Sequence, residues 1–159
     1  MSESLYLHQG TKEEQYVSLI PQLKGLLEGE TDLIANLSNI AAALKAQFNW
    51  LWIGFYLVKQ EELVLGPFQG PVACTRIQKG RGVCGSAWAT ETTLIVPDVE
   101  QFPGHIACSG LSKSEIVLPI IVNGVVVGVL DADHSTLQHF DEVDQRYLQE
   151  IIDLIEWPR

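Results

Sequence analysis

Three cysteines and three acids carry the chemistry open to this sequence. Cys74, Cys84 and Cys108 sit among small residues, in "PVACTR", "GRGVCGS" and "HIACSG". A thiolate is a nucleophile and a redox centre, whereas a buried thiol packs as a small hydrophobe. The three positions contain no C-x-x-C pair and match no zinc pattern, so no metal is expected at them. In "GRGVCG" (80–85) the glycines let the chain turn tightly into a helix. Cys84 then falls in a first helical turn, where the helix dipole lowers a thiol pKa. The same letters fit G-x-G-x-x-G. A dinucleotide site, however, needs a βαβ unit and an acid about twenty residues on. The residues at that distance, near "PGHIA", include none, and NAD binding is rejected. Nothing local decides between Cys84 and Cys108 as the reactive thiol.

The acids Asp131 and Asp133 end the apolar run "GVLDADH" and share a strand face with Val127 and Val129. Glu115 lies across a hairpin whose turn is Asn123-Gly124, and the register decides which face it takes. A two-residue turn pairs Val122 with Val125 and sets Glu115 opposite Ala132, on the wrong face. A three-residue loop with Gly124 in a bulge sets Glu115 opposite Asp131. Carboxyl groups gathered in one pocket raise one another's pKa, so that one of them stays protonated and donates to an oxygen. Trp50, Trp52, Gly54 and Tyr56 are expected on one strand face, as plain aromatic core or as an apolar, cation-binding wall. Gly54 would leave room there for a ligand. His105, three residues before Cys108, is a candidate base.

The elements that must position these residues follow from hydrophobic period. A helix is predicted over 12–28, with Pro21 kinking it or starting a new one. Thr31 caps a second, with Leu33, Ile34, Leu37, Ile40, Ala41, Leu44 and Phe48 at helical spacing. Asp141 caps a third, whose stripe is Val143, Tyr147, Leu148, Ile151, Ile152 and Ile155. Between them the period is two: strands are read at 50–58, 62–68, near "ACTRI", at "TLIVP", "EIVLPIIV" and "VVVGVLDAD". A short helix starts near Val83. This is an α+β pattern, with a central, mainly antiparallel sheet of about six strands flanked by N- and C-terminal helices. The last two strands are apolar at both parities, so both their faces must be covered.

Composition narrows the class. The chain has 159 residues, 47% of them apolar, which suits one domain, 1–159, with a sizeable core. The formal net charge is −10, with 20 acids against 10 Lys and Arg. That balance disfavours nucleic acid and anionic membranes, both of which select clustered cations. There is no basic-then-apolar leader, and the apolar run around Ile116–Ile121 is too short to span a bilayer. A cytoplasmic location is expected, where stable structural disulfides are rare.

Taken together, "WIGFYL", "LGPFQGPVACTRI", "GRGVCGSAW", "GHIACSG", "SEIVLPI" and "GVLDAD" resemble one family, the free methionine-(R)-sulfoxide reductases, built on a GAF domain. The resemblance runs from about Gly29 to the C-terminal helix. It implies a GAF-like fold and reduction of free L-methionine-(R)-S-oxide to L-methionine. It implies Cys108 as nucleophile, Cys74 as disulfide partner and Cys84 as an alternative resolving thiol. It also implies Glu115, Asp131 and Asp133 as the acids, with Trp52 and Tyr56 as the substrate wall. Cys108 would become a sulfenic acid, Cys74 would close a disulfide on it, and thioredoxin would reset the pair. No bound cofactor is implied, and assembly into a homodimer is left open. The competing expectation is a non-enzymatic GAF module that senses a small ligand or redox state.

Overall fold

A computed structural model describes residues 4–106 and 108–158; within "GHIACSG", Ala107 lies outside the described residues. Two helices come first. Helix α1 (Lys12–Leu27) opens on a reciprocal capping box between Thr11 and Glu14 and buries Tyr16, Leu19, Leu23 and Leu27. It continues as one helix through Pro21, so of the two expectations, a kink or a new start, the new start does not occur. Pro21 is exposed, as is Val17, so water can take the Val17 carbonyl that proline leaves without its helical donor. Helix α2 (Leu33–Phe48) is capped by Asp32, which accepts from the Ala35 N–H at 2.9 Å. The cap is therefore Asp32, one residue past the expected Thr31. Both are good cap types, and it is the Asp32 carboxylate that reaches the orphan N–H.

Six strands form one sheet: β1 (Trp52–Lys59), β2 (Glu62–Gln69), β3 (Arg76–Gln78), β4 (Leu94–Val96), β5 (Ser114–Val122) and β6 (Val125–His134). Helix α3 (Gly82–Thr90) joins β3 to β4, and α4 (Glu142–Ile152) follows β6. The strand order is β3-β2-β1-β6-β5-β4, and every pairing is antiparallel. This is the expected α+β architecture and strand count. Helix α4 takes its cap from Asp141, as expected, with Asp144 completing the box; Ile155 is buried but lies past the helix end. Asp144, fully buried, accepts from Lys12 Nζ at 2.7 Å and Tyr16 Oη at 2.6 Å and so ties α4 to α1.

Alternation along the strands divides the interior in two. Ile53, Phe55 and Leu57 of β1, Ile116, Leu118 and Ile120 of β5, and Leu130 and Ala132 of β6 face α1, α2 and α4 in one apolar core. Trp52 and Tyr56, Val117, and Val129 face the other way, toward α3. Trp50 departs from the expected aromatic face. It precedes β1 and packs on Phe48, ring centroids 4.8 Å apart, in the helix-covered core. Among the described residues, no helix is long and apolar enough to cross a membrane.

Candidate active site

The β5–β6 hairpin sets the acids. Its tip is the two-residue turn: Asn123 and Gly124 have φ of 52° and 78°, and Val122 pairs with Val125. Glu115 nevertheless faces the same side as Asp131 and Asp133. The register shifts between Ile120 and Ile121, where Ile121 pairs with Val126 and Ile120 with Gly128, leaving Val127 as the extra residue of a bulge. A one-residue shift exchanges faces, so Glu115 lands opposite Asp133 and Val117 opposite Asp131. Neither register expected from the turn is the one adopted. On the other flank of β6, Trp52 pairs with Asp133 and Gly54 with Asp131.

Above this patch lie the first turn of α3, the β2–β3 loop and the residues His105, Ile106, Cys108, Ser109 and Ser112. Together they enclose a cavity of about 60 Å³, room for a handful of waters or one small molecule. Trp52, Tyr56, Cys84, Cys108, Glu115, Asp131 and Asp133 all line it. Cys74 is joined to Cys108 by a disulfide with Cα atoms 5.5 Å apart, an ordinary span. Both half-cystines are partly exposed, whereas Cys84 is 4% exposed. Tyr56 Oη donates to the Cys74 carbonyl at 2.8 Å and Trp52 Nε1 to the Pro71 carbonyl at 3.1 Å. The two aromatic residues thus pin the loop that carries Cys74. Gly54 does not hold space for a ligand: a Cβ there would lie 2.3 Å from Phe68 Cβ and 2.8 Å from the Trp52 ring. Its missing side chain lets Phe68 stack on Trp52, centroids 5.3 Å apart.

Electrostatics follow from burial. Glu115 is pushed well above the ordinary carboxylate range, first by burial and then by Asp131 and Asp133. Asp133 rises for the same first cause and then through Asp131, although it is only half-buried and solvent moderates the effect. Ser112 Oγ donates to it at 3.2 Å. Asp131 is raised by burial too, but contacts with Glu115, Asp133 and Cys84 partly offset this. The three carboxyl groups titrate together as one cluster and hold protons above the ordinary carboxylate range. Tyr56 is kept a neutral hydroxyl by burial and by Asp131. Cys84 sits in the first turn of α3, as expected, yet its thiol pKa moves up. Burial is the main cause and Asp131 the next.

Sequence reasoning missed Ser112 and Arg81. Arg81 precedes α3 with no side-chain cap, and it lines the cavity together with Gly82 and Val83. The available signal was a cation, rather than a capping residue type, just before the predicted helix start. Gly82, at φ +62°, makes the turn into α3, and Gly85 packs on the Gln78 carbonyl, so the glycine motif serves chain geometry. His105 lines the cavity as well.

A GAF domain family model matches residues 29–156. The chain is 64% identical over 157 residues to GAF domain-containing protein A of Dictyostelium discoideum, covering 98% of this chain and 99% of that protein. It is 46% identical over 153 residues to the free methionine-R-sulfoxide reductase of Saccharomyces cerevisiae, covering 91% of this chain and 85% of that protein. It superposes with a TM-score of 0.94 and 51% identity on an X-ray structure of free methionine-R-sulfoxide reductase from Neisseria meningitidis in complex with its substrate, covering 96% of this chain and 93% of that one. Likeness of this depth, over nearly the whole chain and in its fold, means that the chain belongs to the GAF-domain family, among the free methionine-R-sulfoxide reductases.

Proposed function

We propose that the chain reduces free methionine-(R)-sulfoxide to methionine through a cysteine redox cycle, in a reducing compartment such as the cytoplasm. The observation that carries this reading is the Cys74–Cys108 disulfide closing on a cavity that also holds Glu115, Asp131 and Asp133. In the reduced chain, Cys108 attacks the sulfoxide sulfur as a thiolate. Protonated Glu115 and Asp133 donate to the sulfoxide oxygen, where negative charge would otherwise build up. The oxygen passes to Cys108 as a sulfenic acid and methionine leaves with its sulfur reduced. Cys74 then attacks the Cys108 sulfur, water departs, and the disulfide forms. A dithiol protein such as thioredoxin takes up the oxidation by exchange, and the cycle uses no bound cofactor.

The cavity suits a free amino acid. The acid cluster, Asp131 among it, matches the ammonium. Arg81 and the uncapped N–H groups at the start of α3 match the carboxylate. Trp52 and Tyr56 supply an apolar wall. A site this small favours a free amino acid over a sulfoxide inside a peptide.

The test is turnover of free methionine-(R)-sulfoxide with a thioredoxin recycling system, followed as loss of NADPH. Turnover with the free amino acid and little with a sulfoxide inside a peptide is the expected result. No turnover by fully reduced protein would sink the proposal. Cys84→Ser should retain measurable turnover and Cys108→Ser none; the opposite order would overturn the assignment of roles.

A further inference from the structure

Cys84 Sγ, a Glu115 oxygen and an Asp131 oxygen lie within 4.8 Å of one another. All three residues are buried, at 4%, 6% and 6% exposure. Among the described residues, Asp131 Oδ1 accepts from no N–H or alcohol donor; its neighbours are Glu115, Asp133 and Cys84. A buried carboxylate oxygen with acids and a thiol around it is left short of positive charge, and Asp131 lines the same cavity. The three positions, 84, 115 and 131, form no linear metal motif, and only the sheet register and α3 bring them together.

We propose that Cys84, Glu115 and Asp131 form a binding site for one zinc ion, which occupies the cavity and inhibits the chain by excluding substrate. The donor set selects the metal. A thiolate with two carboxylates suits a borderline ion such as zinc, whereas magnesium and calcium take oxygen donors alone. Zinc bonds of about 2.3 Å to sulfur and 2.0–2.2 Å to oxygen place tetrahedral ligand atoms roughly 3.4–3.7 Å apart. From separations of up to 4.8 Å, the cluster needs to contract by no more than about 1.4 Å to reach that spacing. Three protein ligands leave a fourth position open to the cavity, for water or for a ligand oxygen. Binding releases protons: Cys84 gives up its thiol proton and Glu115 its carboxyl proton as the bonds to zinc form. Zinc thereby consumes the proton donor and the anion that the proposed reaction needs, so zinc and the sulfoxide compete.

The experiment uses the full chain with the Cys74–Cys108 disulfide closed, so that Cys84 is its only thiol. Cobalt(II), a spectroscopic stand-in for zinc, is titrated into it. One cobalt per chain is expected, with thiolate-to-cobalt charge-transfer absorption in the near ultraviolet that one equivalent of zinc abolishes. Cys84→Ala should lose the absorption. Glu115→Gln and Asp131→Asn should each weaken binding by roughly tenfold or more, since loss of an inner ligand costs at least as much as loss of an outer-shell partner. In turnover assays zinc should raise KM for the sulfoxide and leave kcat unchanged. Cobalt bound without thiolate absorption would place it on the surface acids of this anionic chain and overturn the proposal. So would an affinity unchanged in both folded carboxyl variants. Should a variant not fold, by circular dichroism, the wild-type absorption still decides. The titration needs no turnover, so failure of the zinc site and failure of the reductase reading are told apart.

Discussion

The two faces of the sheet are built from the same strands and behave as opposites. One face is apolar at the sheet: Ile53, Phe55, Ile116, Leu118, Leu130 and Ala132 meet α1, α2 and α4, and the buried Asp144 of that layer is paired with Lys12 and Tyr16 between the helices. The other begins the same way, at Val117 and Val129, and then turns polar at Glu115, Asp131 and Asp133, under a nine-residue helix and two loops. Adjacent residues illustrate the divide, since Ala132 lies in the apolar core between two acids of the cavity. The helical face carries stability and the cavity face gives some of it up. Three carboxyl groups and a thiol are held where burial disfavours their charged forms.

That division can be broken most severely at the cavity. Cys108→Ser should lower turnover of the free sulfoxide by about 10³-fold or more, with thermal stability of the reduced protein nearly unchanged. Glu115→Gln should lower kcat by roughly 10²-fold, while raising the thermal midpoint. The sign follows from linkage. Glu115 holds its proton more tightly folded than unfolded, so stability falls as pH rises from the ordinary value of 4.5 through its higher folded pKa. Gln carries no such penalty, and the midpoint gain should be larger at pH 8 than at pH 5. A gain that shrank with pH would refute the protonated state.

The apolar face should respond in the other sense. Leu148→Ala, at a fully buried position of α4, should cost about 2–5 kcal/mol in denaturant unfolding and leave turnover per folded molecule intact. Asp32→Ala, which removes the cap of α2, should cost about 1 kcal/mol, again without effect on kcat. Loss of kcat in either variant would show that the two faces are coupled.

Much of this was legible in the residues. Hydrophobic period located the helices and strands, and Asp141 was a correct cap. The same-face placement of Asp131 and Asp133 follows from the period of two in a strand. Other features were not legible because they depend on contacts between segments distant in the chain. Trp50 shares parity with Trp52, but the strand starts after it and the chain turns it into the other core. The thiol of Cys84 lies at a helix start, yet burial first, and then the carboxyl groups of β5 and β6, move its pKa up.

By itself, then, the sequence determined an α+β domain with two-sided strands, and it supplied the cysteines and acids as residues able to act. Local period and turn chemistry are short-range properties, and they suffice for that much. Only the tertiary structure decided that these residues share one cavity. Glu115 reaches it because a single extra residue, Val127, shifts the hairpin register by one and exchanges the faces of β5 against β6. A bulge is selected by packing on both sides of the sheet, and no window of sequence around the turn contains that information.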